Sequence, residues 1–316
     1  RVRAVGGDAG GRGGAGERAA LAAPAPSVIG FSDDGRGVQS EALMEEAMRR
    51  AAAVRKPIVA HCEVDDLLHG GYIHDGEYCR EHGHRGISSE SEWRQVERDI
   101  ALAERTGCQY HVCHVSPRES SAVGRRPRAR GLGVSCERGP HHQLVWDGDL
   151  QEEGRCKMTP PLRRRADRDA LREGVLDGTI EVIATDHAPH TAEEKSRGLA
   201  GSAMGIVGLE CAFPLLYTYL VKPGMLTLER LVELMSLNPR RIFGLGGGLQ
   251  AGQPADFTVM DLGAEYEIDP AAFLSIGPSP PFSGLRVGAC PVTAVLVAPC
   301  RYVPPPRQRA PRAWAR

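Results

Sequence analysis

Apolar residues occur along this chain in short runs, and most runs end in an acidic, histidine or other polar side chain. Five runs have the length and the β-branched content of buried strands: SVIGF, PIVA, YHVC, GLGVSC and EVIAT. Helical spacing of apolar residues follows several of them, at residues 41–54, 89–106 and 168–176. The repeated order of strand, loop and helix predicts an α/β fold with a parallel sheet.

The side chains at the strand ends suggest how the sheet closes. An acid or a histidine follows four of the five runs, at Asp33 and Asp34, His61, His114 and Asp186. In a parallel barrel the carboxyl ends of the strands form the active-site face, so this pattern predicts a (β/α)8 TIM-type barrel. Eight strands close such a barrel, and we therefore expect the chain to lack about three strand–helix units.

Three other stretches carry weaker predictions. The ten-residue stretch 121–130 is predicted to be a loop, because Pro127 would interrupt a helix there. A helix is predicted at residues 227–237, ending at Asn238-Pro239. Beyond residue 244, glycine-rich turns separate short apolar runs at 255–260 and 292–297, which indicates a small β module.

These patterns divide the chain into four parts. Residues 1–26 form a Gly/Ala/Arg leader that we expect to be disordered and to add no strand to the barrel. Residues 27–244 form the partial barrel, and 245–303 form the β module. The basic, proline-rich residues 304–316 are expected to be a disordered tail. The strand before Asp34 would then be an unpaired edge.

Composition excludes several classes of function. With 316 residues, 41% apolar content, 25% charged residues and a formal net charge of −1, the chain offers no electrostatic reason to bind nucleic acid or membranes. No apolar run is long enough to span a bilayer. Nine cysteines without a CxxC pair predict buried thiols, Cys62, Cys113 and Cys136 among them, and a cytoplasmic setting.

The strand-end residues predict a metal centre. A mixed set of histidine and carboxylate ligands is typical of zinc sites that leave a position open for water. A single Asp at a strand end, such as Asp186, would be interpreted as an ordinary helix cap. Acids and histidines at the ends of several strands instead favour a functional site. Strand alternation places His111 and His114 on opposite faces, so only one of them is expected at the barrel mouth. Four loop histidines are expected to be exposed: His69, His74, His82 and His84.

Eight segments, taken together in this order, resemble a known family. They are FSDDG, AHCE, YHVCHVS, PHH, KMTPPLR, ATDHAPH, GIVGLE and PADFTVMDL, and the resemblance covers about residues 27–303. Their combination is similar to dihydroorotases of the bacterial class I type, within the amidohydrolase superfamily. The resemblance implies zinc-dependent, reversible hydrolysis of the cyclic amide of dihydroorotate to N-carbamoyl-L-aspartate, in pyrimidine biosynthesis.

The resemblance also implies roles for the strand-end residues. The second Asp of FSDDG, Asp34, would bridge two zinc ions. His61 and His114 would hold one of these ions, and Asp186 would bind the other. Asp186 would also act as the general acid and base. The bridging Asp favours dihydroorotases over hydantoinases and allantoinases, which carry a carboxylated lysine in its place.

Substrate contacts are implied less directly. His190 matches a residue that binds the substrate carboxylate, and Met204 with Gly205 matches a backbone contact to the ring. Thr159 stands where the family has an asparagine, and its shorter side chain keeps one hydroxyl donor and acceptor. Gly139 replaces the threonine that usually precedes Pro-His-His.

One family motif is absent from the sequence. No His-x-His followed by Leu-Arg occurs, and that motif supplies two zinc ligands and an arginine for the substrate. We therefore expect an N-terminally incomplete chain that binds one zinc ion at most and has little activity. Two alternatives remain: a non-catalytic, dihydroorotase-like scaffold subunit of aspartate carbamoyltransferase, or another cyclic amidohydrolase such as an allantoinase.

Overall fold

A computed structural model gives the backbone of residues 4–6, 25–129, 131–246, 248–251, 253, 255–277, 280–296 and 300–302. Side chains are described for residues 26–125, 131–246, 248–251, 253, 255–277 and 280–295. Most of the leader, 1–26, and all of the tail, 304–316, lie outside the described residues. The two disorder predictions for these segments therefore stay predictions.

A six-stranded parallel sheet forms the centre of the molecule, in the order β1-β2-β3-β6-β7-β8. Its strands are β1 (Ala4–Gly6), β2 (Val28–Phe31), β3 (Ile58–Ala60), β6 (Tyr110–Val112), β7 (Val134–Arg138) and β8 (Val182–Ile183). A further parallel bridge joins His187 to Ile206. All five strands predicted from the apolar runs are confirmed, and so is their parallel arrangement.

The leader does contribute a strand, which corrects the expectation that it would add none. Ala4 is paired with Val28 and Gly6 with Phe31, so β2 has neighbours on both sides. Parallel pairing uses main-chain N–H and C=O groups, which small residues supply as well as large ones. The weak β-propensity of the leader therefore did not indicate whether it forms a strand.

Helices connect the strands and cover the outside of the sheet. They are α1 (Glu41–Ala53), α2 (Glu77–Glu81), α3 (Glu90–Thr106), α4 (Arg118–Ala129), α5 (Pro140–Leu144), α6 (Arg165–Leu176), α7 (Ala192–Lys195), α8 (Gly198–Gly201), α9 (Ala212–Leu216), α10 (Leu228–Val232) and α11 (Asn238–Ile242). Five-residue π-helical segments, Tyr217–Val221 and Glu233–Leu237, follow α9 and α10. The arrangement is that of the predicted α/β barrel, here as a curled half-barrel.

Local sequence explains the first of these helices. Ser40 accepts a hydrogen bond from the backbone N–H of Leu43, which satisfies one of the free donors at the start of α1. The buried residues of α1 recur at helical spacing and pack against β2 and β3: Met44, Ala47, Met48 and Ala51. The end of α3 is marked by Gly107, whose φ of 66° is the left-handed conformation that glycine adopts most easily.

Two helix predictions need correction. Residues 121–130 were expected to be a loop, but α4 runs through Pro127 to Ala129. Packing of α4 against α3 and α6 outweighs the one backbone hydrogen bond that Pro127 removes near the helix end. The helix predicted at 227–237 continues through Asn238-Pro239 to Ile242, because proline is well tolerated in the first turn of the following helix, α11.

A three-stranded antiparallel sheet forms the predicted β module. Its strands are β9 (Asp256–Glu267), β10 (Arg286–Leu296) and β11 (Cys300–Tyr302), in the order β11-β10-β9. Most of each predicted run lies inside a longer strand: Ala255 precedes β9 by one residue, and Val297 lies outside the described residues. The buried residues Ile268, Phe282 and Val287 pack this module against the part of the barrel after β8.

The loop between β3 and α3 is more ordered than its glycine-rich sequence suggests. Two short parallel strands, β4 (Ile73–His74) and β5 (Gly86–Ile87), flank α2. His69 and His82 are exposed, as predicted, whereas the His84 side chain is only 12% exposed, which contradicts the prediction for that residue. His74 is only 2% exposed, so the prediction that it faces solvent is wrong. It sits in β4 under the loop, within 3.2 Å of the Arg163 guanidinium.

A buried ionic network joins this loop to three other elements. Arg163 donates hydrogen bonds to Ser116 Oγ (2.9 Å) and to the carbonyl of Ile87 (3.0 Å). Its guanidinium lies 3.8 Å from the Glu92 carboxylate, and both side chains are almost fully buried. Glu92 also accepts hydrogen bonds from the Ser116 backbone and from Ser120 Oγ. The network fixes the segment that follows β6.

Replacing Arg163 by methionine is expected to cost about 3–5 kcal/mol of unfolding free energy, because the Glu92 charge would remain buried without its partner. Urea unfolding followed by circular dichroism measures the loss. Arg80→Met, at an exposed arginine, is the matched control and should change stability by less than about 0.5 kcal/mol. A double variant with Glu92→Leu should recover part of the loss; an unchanged midpoint in the single variant would contradict the network's role.

Buried histidines predict acid sensitivity. Burial, with the charges of Arg163 and Arg164, lowers the pKa of His74 to about 3, and burial lowers the pKa of His141 to about 3. Below pH 6.5 these histidines become protonated in the unfolded chain but stay neutral in the folded protein. Their contribution to stability is therefore complete above pH 6.5 and is lost as the pH falls towards 3. Unfolding midpoints at pH 7.5 and 5 should differ less in His74→Gln than in wild type, whereas His82→Gln, at an exposed site, should leave the difference unchanged.

Two further observations complete the fold. Cys62, Cys113 and Cys136 are buried, as predicted. Among the described helices, none has the length and apolar content needed to cross a bilayer.

Candidate metal centre

Three of the predicted ligands converge at the carboxyl ends of β2, β3 and β6. One ligand atom from each of Asp34, His61 and His114 lies within 4.8 Å of the other two. Asp34 Oδ1 is 3.9 Å from His61 Nδ1 and 3.5 Å from His114 Nε2, and the two imidazole rings are 4.9 Å apart between centroids. The structure selects Asp34 over its neighbour Asp33, the alternative that the sequence left open.

The order of the strands explains this convergence. β2, β3 and β6 are adjacent in the sheet, so residues that follow their last hydrogen-bonded positions lie at one edge. His114 has a φ of 37° and Asp186 a φ of 46°, in the left-handed region that non-glycine residues rarely occupy. Such strain costs about 1–3 kcal/mol per residue and is concentrated at functional sites.

The donor set fits a metal ion. The His61 ring is only 3% exposed: its Nδ1 faces Asp34 Oδ1, and its buried Nε2, 3.7 Å from Glu63 Oε2, has no hydrogen-bond partner among the described residues. A divalent cation would satisfy a buried imidazole of this kind beside a second histidine and a carboxylate. Asp34 is 61% exposed, which leaves the outer side of the cluster open to solvent and substrate.

Electrostatics couple these groups to Asp186 at the end of β8. A hydrogen bond with His114 lowers the pKa of Asp34 to about 2. Burial disfavours charge on His114, but the carboxylates of Asp186 and Asp34 outweigh it and raise its pKa to about 9. Burial raises the pKa of Asp186, and the charges of His114 and Asp34 act on it in opposite directions. Asp186 therefore interacts electrostatically with the cluster, although it is not one of the three converging ligands.

The predicted substrate residues lie in two groups. Thr159 Oγ1 donates a hydrogen bond to Glu63 Oε1 (3.0 Å), and Glu63 Oε2 is 3.7 Å from His61 Nε2. His190 Nε2 is 2.8 Å from the carbonyl oxygen of Met204. Gly205, with a φ of 147°, is required here, because a Cβ would come within 2.9 Å of His190 Nε2 and 2.6 Å of Ala188.

Sequence reasoning missed two acidic residues near the centre. Glu63 and Glu137 belong to the AHCE and CERGPHH segments, but no role was assigned to either. Glu137 Oε2 is 3.1 Å from His111 Nε2, and His111 is also within 2.7 Å of Ser135 Oγ. His111 is therefore held by side chains of β7, whereas His114 is the histidine of this segment that joins the cluster. The available signal was an acid directly after a cysteine at a strand end, in Cys62-Glu63 and Cys136-Glu137.

Comparisons with known proteins agree with this geometry. A family model described as dihydro-orotase-like matches residues 15–120. The dihydroorotase of Geobacillus thermodenitrificans is 53% identical over 267 residues, covering 84% of this chain and 62% of the relative. That of Brevibacillus brevis is 53% identical over 261 residues, covering 81% of this chain and 61% of the relative.

Solved structures show the same fold. The L-hydantoinase of Arthrobacter aurescens superimposes with a TM-score of 0.79 at 25% identity, covering 89% of this chain and 68% of that one. The dihydropyrimidinase of Brevibacillus agri, at 18% identity, has a TM-score of 0.77, covering 88% of this chain and 64% of that one.

The barrel and its histidine–carboxylate cluster define a member of the metal-dependent amidohydrolase class. Within that class, the chain is similar to the dihydro-orotase-like family: the family model matches residues 15–120, and the relatives named dihydroorotase are about half identical to the chain over more than four fifths of its length. It spans about 62% of the length of the first of these relatives.

Proposed function

We propose that this chain carries the catalytic face of a dihydroorotase, which hydrolyses the cyclic amide of dihydroorotate to N-carbamoyl-L-aspartate in pyrimidine biosynthesis. The observation that carries the proposal is the convergence of Asp34, His61 and His114 beside Asp186. The chain has this convergence at the positions that its family resemblance implies. A scaffold subunit would have no physical need to keep such a set.

The metal in this proposal is zinc, held by Asp34, His61 and His114 as one ion per chain. Three protein ligands of this type are the usual number for a catalytic zinc. When bound, zinc supplies Lewis-acid polarisation of a carbonyl and lowers the pKa of a water molecule. Analysis of the purified protein for metals tests the stoichiometry, and two tightly held zinc ions per chain would contradict it.

Asp186 is proposed as the general acid and base. Hydrolysis adds the oxygen of water to the ring carbonyl carbon, breaks the C–N bond and moves one proton from the water to the leaving nitrogen. A carboxylate on the edge of the cluster can take that proton and return it. Asp186 has a raised pKa because of burial, which suits a group that must hold a proton between the two steps.

The substrate is proposed to lie between the cluster and the segment at Met204–Gly205. His190 supplies a nitrogen for the substrate carboxylate, and the Gly205 backbone approaches the ring where no side chain intervenes. Thr159 takes the place of the family's asparagine. Its side chain is shorter, and its hydroxyl already donates a hydrogen bond to Glu63. We therefore expect Thr159 to bind the substrate more weakly than an asparagine would.

The same proposal includes the division into a partial barrel at 27–244 and a β module at 245–303, and a cytoplasmic setting. Association with aspartate carbamoyltransferase stays a prediction, which co-elution of the two purified proteins would test.

Dihydroorotate hydrolysis by the purified chain, followed with and without added zinc, tests the function. We expect at most slow turnover, which depends on zinc and is inhibited by N-carbamoyl-L-aspartate. Allantoin and hydantoin are the matched comparison substrates. Preferential hydrolysis of either one, or zinc-independent turnover, would show that the assignment is wrong.

A further inference from the structure

A buried lysine lies between the two segments that carry the proposed substrate contacts. Lys195, at the end of α7, is 4% exposed. Its ammonium donates hydrogen bonds to three backbone carbonyl oxygens, those of Lys157 (2.9 Å), Ala203 (2.9 Å) and Gly205 (2.8 Å). No carboxylate among the described residues forms an ion pair with it. Its three donors therefore serve the main chain alone.

The three carbonyls belong to two segments that are distant in sequence. Lys157 is two residues before Thr159, and Ala203 and Gly205 flank Met204. The Gly205 N–H also donates to the Lys157 carbonyl at 3.0 Å. That carbonyl therefore accepts from both the ammonium and the opposite backbone, and the two segments meet at one point.

The geometry points to Lys195 as a positioning residue for substrate binding, which holds the Thr159 segment and the Met204–Gly205 segment at a fixed separation. This inference rests on the proposed function, since those residues are the proposed substrate contacts. The ammonium itself does not touch substrate. It acts through the carbonyls that it binds, and charge-assisted hydrogen bonds of this kind are about twice as strong as neutral ones.

Tight packing around Gly205 makes the position sensitive. Gly205 lies against Ala188 and His190, and His190 Nε2 is 2.8 Å from the Met204 carbonyl. A shift of the 203–205 backbone therefore moves His190 as well. Burial of the ammonium lowers the pKa of Lys195 to about 8; Cys156 raises this pKa and Lys157 lowers it. The protonated form of Lys195 is therefore destabilised by burial, which is in keeping with a specific structural role for its ammonium.

Lys195→Met removes the three donors at nearly constant volume. We expect the dissociation constant of N-carbamoyl-L-aspartate, measured by calorimetry with zinc present, to rise by about ten-fold or more. In turnover, KM should rise similarly while kcat changes by less than about three-fold. Lys222→Met is the matched control, because Lys222 pairs with Glu265 at the surface, and it should leave both constants unchanged.

Lys195→Arg tests the geometry and guards against a variant that does not fold. A planar guanidinium keeps the charge but cannot direct three donors at converging carbonyls in the same way, so an intermediate loss of affinity is expected. Hydrogen exchange of the amides at 203–206 should be faster in both variants than in Lys222→Met. A folded variant with wild-type affinity and wild-type exchange would overturn the inference.

Wild-type protein provides a measurement that needs no variant at position 195. The sequence contains four lysines, so 15N-lysine labelling gives few side-chain signals. The Lys195 ammonium signal should shift when N-carbamoyl-L-aspartate is added, and an unmoved signal at saturating ligand would count against the inference. If wild type binds no ligand at all, the proposed function fails instead, so the two failures are distinguishable.

Discussion

Replacing His114 by alanine is expected to lower the zinc affinity of the chain by at least about 100-fold and to abolish any hydrolysis of dihydroorotate. The variant leaves Asp34 and His61, and two protein ligands are seldom enough for a stable zinc site. Metal analysis after dialysis against a chelator of known affinity measures the loss. His61→Ala should have the same effect, because the three ligand atoms lie within 4.8 Å of one another.

His82→Ala is the matched control for this loss. His82 is exposed and stacks on Tyr78, far in the fold from the strand ends that form the cluster. Zinc content and turnover should both be unchanged in that variant. If His114→Ala retained wild-type zinc affinity, the ion would have to be held elsewhere, and the proposed centre would be wrong.

Asp186→Asn is expected to lower kcat by about 10²–10⁴-fold, the usual contribution of a positioned general acid and base. Asparagine keeps the shape of the side chain but cannot take a proton. Zinc bound by Asp34, His61 and His114 should remain, so metal content separates a loss of proton transfer from a loss of the centre. Steady-state rates and metal analysis on the same preparation make the distinction.

Asp66→Asn, at an exposed acid in the loop after β3, is the control for this substitution. It should change neither rate nor metal content. A rate close to that of wild type in Asp186→Asn would remove Asp186 from the proposed mechanism and leave the metal centre intact. Loss of zinc together with activity would instead make Asp186 a ligand of that ion.

The places where sequence reasoning was wrong share a physical cause. Pro127 reduces helix propensity, but α4 forms because it packs on α3 and α6. The leader has weak β-propensity, but Ala4–Gly6 pairs with β2 in parallel. His74 is polar and follows glycines, but it is buried under Arg163. Each outcome depends on segments far away in the chain, which local preference does not report.

The sequence by itself determined the class of fold, the five main parallel strands and the identity of the strand-end residues. Those features depend on periodicity and on the residue that follows each apolar run, and both are local. Only the tertiary structure decided that Asp34, His61 and His114 converge without Asp186, and that Lys195 joins two distant loops. Both results depend on strand order and on burial, which arise from contacts between residues separated by tens of positions in the chain.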